Sequence, residues 1–183
     1  MVEQKILHVI RVISKIRYKL STNIALLLYN ALVLPHLNYC IIIWACTFKT
    51  NLVKLFKLQK RIIRICTKSP RLTKTKEMFT NYHILTVYSL HKLSVGKFMF
   101  SLNSNTLPNI CNDMFNGNLL KHSYQTRNTN KFSYIPASTR WRENFITCVG
   151  PRLWKEMPQE IRLLSSIANF KRVYKFLLLQ SQF

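Results

Sequence analysis

The chain has 183 residues, room for one domain or one and a half, and too few for a large multidomain enzyme. It carries 28 Lys and Arg against 6 Asp and Glu, a formal net charge of +22, yet 48% of its residues are apolar. The apolar share excludes a disordered basic tail, three glycines exclude a collagen-like or flexible-linker chain, and the charge calls for a polyanionic partner, nucleic acid before an anionic membrane.

Val2 to Leu20 reads as an amphipathic helix, because Val2, Ile6, Val9, Ile13, Ile16 and Leu20 recur at spacings of four and three. It is not a secretory signal, since basic residues interrupt the apolar ones. Leu20 to Phe48 contains no formally charged residue and is long enough to span a bilayer. Asn30, Pro35, His36 and Asn38 at its centre oppose that reading. Two buried helices, Asn23 to Leu34 and Pro35 to Ala45, are expected instead, with Ser21 or Thr22 as N-cap and Tyr39 and Trp44 in the core. The alternative is a small basic membrane protein anchored through residues 20–48.

Asn51 to Lys68 is the clearest helix. Leu52, Leu55, Phe56, Ile62, Ile63 and Cys66 form an apolar stripe. Lys54, Lys57, Arg61, Arg64 and Lys68 fall at spacings of three and four on the opposite side, with no acid among them, and Lys60 is counted with them. Ser69-Pro70 ends the helix. Further helices are expected over Lys74–Asn81, Thr86–Leu102 and Pro108–Phe115. Asn103 to Lys131 is rich in Asn, Ser and Thr and reads as loops. Lys131–Ile135 and Arg140–Val149 have the β-branched and aromatic content of a small hairpin, after which Gly150-Pro151 turns the chain. Pro158 starts a short helix. Ser165 or Ser166 caps a last helix through Leu179, with Ile167, Phe170, Val173 and Leu177 inward. The expected fold is mainly α: a helical bundle over 1–102, an Asn-rich segment over 103–131, and an extension over 132–183 with the hairpin and terminal helices.

Few residues suit catalysis. Glu3, Glu77, Asp113, Glu143, Glu156 and Glu160 are the only acids, and none pair in the way metal-assisted phosphoryl transfer requires. Cys40, Cys46, Cys66, Cys111 and Cys148 are odd in number and widely spaced, which fits reduced core residues in an intracellular protein, nuclear or cytoplasmic, rather than a disulfide framework or a zinc site. No phosphate-binding loop, dinucleotide fingerprint or nucleophile elbow occurs. The expectation is no catalytic residue, no metal and no cofactor.

The order of segments is distinctive. Leu28-Tyr29-Asn30-Ala31-Leu32-Val33-Leu34-Pro35-His36-Leu37-Asn38-Tyr39-Cys40 is followed by Trp44, then Leu55-Phe56-Lys57-Leu58-Gln59-Lys60-Arg61 and Arg64-Ile65. Later come Tyr124-Gln125-Thr126-Arg127, Gly150-Pro151-Arg152-Leu153-Trp154, Met157-Pro158 and Phe170-Lys171. Over essentially its whole length the chain resembles the region downstream of the polymerase palm in jockey-like non-LTR (LINE-type) retrotransposon reverse transcriptases. It departs from that pattern at Cys40, where the family usually has Gly, and at Lys155 and Met157, which replace Asn and Leu. The family's Tyr-x-Asp-Asp box, palm and endonuclease lie upstream of this region.

The resemblance implies a thumb that holds an RNA template and an RNA–DNA or DNA duplex by the backbone and packs on the palm of the parent RNA-directed DNA polymerase. The sequence supports the same chemistry on its own terms, since an acid-free basic ridge backed by an apolar stripe suits phosphate contact. Its candidate contacts are Lys54, Lys57, Lys60, Arg61, Arg64 and Lys68. Arg127 is either a further phosphate contact or a cap on a helix carbonyl.

Overall fold

A computed structural model describes residues 2–70, 72–115, 132 and 137–183. Among these residues eleven α-helices follow in chain order: α1 Val2–Ile16, α2 Thr22–Leu32, α3 Leu34–Asn38, α4 Ile41–Trp44, α5 Lys49–Thr67, α6 Thr75–Asn81, α7 Val87–Asn103, α8 Asn109–Asp113, α9 Ile146–Glu156, α10 Gln159–Arg162 and α11 Ile167–Ser181. Among the described residues there is no strand, so the helical architecture expected from the periodicity holds.

The chain packs as two compact units. One comprises Met1–Ile41, Phe48–His91 and Leu178–Phe183, the other Ile42–Thr47 and Lys92–Leu177.

In the first unit α5 packs against α1, α2 and α6. Ile6, Ile10 and Ile13 of α1 are buried, as are Tyr29 of α2 and Leu52, Ile62, Ile63 and Cys66 of α5. Ser21 caps α2, its hydroxyl accepting from the Ile24 amide. The uncharged stretch from Leu20 to Phe48 forms α2, α3 and α4, and among the described residues no helix is long and apolar enough to cross a membrane. The expected second helix of this stretch, 35–45, is broken after Asn38, because Cys40 takes a left-handed conformation with φ 50°. That break leaves Tyr39 77% exposed rather than in the core, while Trp44 is half-buried.

In the second unit the Phe100 ring stacks on Phe170 at 4.5 Å, and Phe170 meets Tyr174 at 5.4 Å. Gly96 makes room for this cluster: a Cβ there would sit 2.6 Å from the Tyr174 ring. Within this unit the inward face of α11 carries the expected Phe170 together with Tyr174, whereas the expected Ile167 and Val173 are exposed. Phe98, Phe115, Phe132 and Trp154 form a second run of ring contacts, with centroids 6.0 to 6.2 Å apart.

The expected hairpin is not present among the described residues. Of its first half only Phe132 lies within them, and it is not in a strand. The second half is a 3-10 turn, Arg142–Asn144, followed by the start of α9. Gly150-Pro151 does not turn the chain but lies inside α9. Proline normally drives the preceding residue out of the helical region by a clash involving its Cβ. Gly150 has none, and a Cβ there would stand 2.6 Å from the Sδ of the buried Met99. Burial of Cys148, Leu153 and Trp154 on the same helix outweighs the hydrogen bond lost at Pro151.

Candidate nucleic-acid interface

The candidate interface begins with the two-sidedness of α5. Its apolar stripe is buried, and with it Gln59, which is 1% exposed. Gln59 Nε2 donates to Tyr29 Oη at 2.9 Å and to the Leu85 carbonyl at 2.8 Å, and its Oε1 accepts from the Val87 amide at 3.0 Å. These bonds fix the rotation of α5 about its axis. Burial pushes the Tyr29 hydroxyl up to about 12, the Gln59 bond partly opposing it, and pushes the Cys66 thiol up to about 11.

With that side fixed, Lys54, Lys57, Arg61 and Lys68 are exposed on the other. At about 100° per residue, the spacings of three and four hold the ridge from Lys54 to Lys68 within roughly a quarter of the helix circumference. The structure brings these four together as the sequence pattern requires. Lys60 and Arg64 flank them and are half-buried. The Lys60 ammonium sits 4.8 Å from the centroid of the Phe56 ring, so it is partly engaged within the protein. Lys68 lies one residue beyond α5, in a left-handed conformation with φ 54°, and its amide donates back to the Ile65 carbonyl. Arg127 lies outside the described residues.

Among the described residues no acid neutralises the ridge. The one salt bridge among them joins Lys74 to Glu77 at 4.0 Å, both side chains exposed. Nor do the described residues bring three His, Cys, Asp or Glu side chains together in a metal-binding group.

The structure adds Arg17, which sequence reasoning missed. It follows α1 and lines one groove with Ser14, Arg61 and Arg64. In the sequence it is one of several cations, with Lys15 and Lys19 beside it, inside the helix expected over Val2 to Leu20. Only the packing of α1 on α5 shows which residues it joins.

Comparisons with protein-family models, with curated proteins and with solved structures find no match for this chain.

Proposed function

We propose that this chain grips the sugar–phosphate backbone of an RNA·DNA or DNA duplex through the outward face of α5 and performs no chemistry itself. It serves, in this reading, as the thumb and C-terminal extension of a non-LTR retrotransposon reverse transcriptase, with an RNA template and the palm of that polymerase as partners. The observation that carries the reading is the row Lys54, Lys57 and Arg61 on α5 with Lys68 one residue past its end, all exposed and paired with no carboxylate among the described residues. Cations on a helix that also anchors a core hold their spacing, and a regular charge array favours backbone contact over base readout. The ordered motifs from Leu28 to Lys171 support the family assignment.

The test is a salt titration of binding to an RNA·DNA hybrid. One phosphate contact each at Lys54, Lys57, Arg61, Arg64 and Lys68 gives a log–log slope of about −4 to −5. Changing Lys57, Arg61 and Arg64 together to Ala makes that slope shallower by about 3 and weakens binding on the order of a hundredfold at about 0.1 M salt. Unchanged affinity and slope would remove α5 from the interface.

A further inference from the structure

The groove beside the ridge has features that a solvated helix face lacks. Its volume is about 680 Å³, and its lining is Ser14, Arg17, Arg61, Arg64, Ile65 and Ser69. Three arginines are among its lining residues and no acidic residue is. The Nε of Arg64 is buried and has no hydrogen-bond partner, which is costly for a charged donor. Both hydroxyls are already committed as donors. Ser14 Oγ donates to the Ile10 carbonyl at 2.6 Å. Thr67 Oγ1 gives its proton to the Ile63 carbonyl, so Ser69 is the donor in the 2.7 Å Thr67–Ser69 contact. Arg17 is partly committed as well, since its Nη2 donates to Tyr18 Oη and its guanidinium lies 4.5 Å from the centroid of that ring. The unfilled hydrogen-bonding capacity of the groove is therefore that of guanidinium N–H donors, centred on Arg64, whose Nε has no partner. Such a site takes an anion rich in acceptors.

A plainer role for these arginines is to offset the carbonyl ends of α1 and α5, where the groove lies. Each helix end carries roughly half a negative charge, which three full positive charges exceed. The groove stays cationic after that offset. Guanidinium forks match phosphate oxygens in pairs. A terminal phosphate presents three free oxygens and up to two charges near neutral pH, whereas an internal phosphodiester presents two oxygens and one charge. The geometry points to a site for a terminal phosphate group, held by Arg17, Arg61 and Arg64, at one end of the α5 ridge. The inference rests on the duplex-binding reading above for the identity of the anion as phosphate. The same chemistry reaches the groove from a strand's 5′ end or from free phosphate.

The experiment compares a short RNA·DNA hybrid bearing a 5′-phosphate with the same hybrid bearing a 5′-hydroxyl, and titrates inorganic phosphate alone by isothermal calorimetry. The phosphorylated hybrid is expected to bind at least about tenfold tighter. Arg17→Gln brings the two hybrids to within about twofold of each other, whatever it costs the affinity of both, because the ratio reads the terminal phosphate alone. If the two hybrids bind alike but inorganic phosphate binds and Arg17→Gln abolishes it, the site takes the free anion. Equal hybrids together with no phosphate binding overturn the inference and leave the ridge untouched. The ridge is checked separately by the Lys54→Gln/Lys57→Gln variant. If that variant binds both hybrids as tightly as the parent while the phosphate difference persists, the duplex-binding reading fails and the groove stands.

Discussion

Replacing Gln59 with leucine is expected to destabilise the first unit by about 4 kcal/mol, although leucine has nearly the right volume for the site. The substitution strands the Tyr29 hydroxyl, the Leu85 carbonyl and the Val87 amide in a site where Gln59 and Tyr29 are each 1% exposed. Each orphaned group costs about 1–3 kcal/mol, and hydrophobic gain from leucine offsets only part of that. Urea denaturation followed by far-UV circular dichroism measures it, as a midpoint lowered by about 2 M. The Tyr29→Phe change separates the polar effect from packing. In the parent it costs about 1 kcal/mol, because one Gln59 N–H loses its acceptor. In the Gln59→Leu background it is neutral or stabilising, because it removes a hydroxyl that is already stranded. If Gln59→Leu proves neutral, the bonds that hold the rotation of α5 are not formed in solution, and the outward placement of the ridge loses its support.

Phe170→Ala is expected to cost the second unit about 4 kcal/mol. The ring is fully buried, stacks on Phe100 at an interplanar angle of 27°, and borders Tyr174. Truncation removes both ring contacts and leaves a cavity between rigid neighbours that cannot collapse into it. Phe170→Leu fills most of the space and is expected to cost about 1.5 kcal/mol or less. Trp44, Trp141 and Trp154 all belong to this unit, so tryptophan fluorescence during urea denaturation reports on it directly. Equal costs for the two variants would show that buried area and volume do not account for the loss, and that the ring contacts with Phe100 and Tyr174 carry it.

Local pattern carried far in this chain. The apolar period gave α5 to within two residues at its start and one at its end, and with it the outward row of cations. Ser21 was legible as a cap from its type and place. What depended on packing between distant segments was not legible. Gln59 reads as one more polar residue in a basic helix until Leu85 and Val87 are brought to it. The face of α11 is set by Phe100 and by the space that Gly96 leaves, neither of which lies in α11 itself. Gly150-Pro151 has the composition of a turn, and only the Met99 and Phe115 side chains against Gly150 show why the helix continues through it. Arg17 joins Arg61 and Arg64 through the pairing of α1 with α5, which no spacing records.

The left-handed residues show how a chain with three glycines stops its helices. Cys40, Lys68, His83 and Asn105 have φ of 50–54° and follow the ends of α3, α5, α6 and α7. These are positions where glycine is the usual occupant, because a Cβ is strained there. Such a chain is open to improvement by protein engineering at sites that touch no core. Cys40→Gly and His83→Gly should each raise stability by about 1 kcal/mol, after the greater freedom of glycine in the unfolded chain is set against the strain relieved. Lys68→Gly should gain a similar amount and at the same time weaken hybrid binding several-fold, measured by pairing thermal denaturation with the salt titration. Under the proposed duplex binding, durability and grip pull in opposite directions at that residue, and a lysine held in an unfavourable backbone conformation is what selection for grip would leave behind.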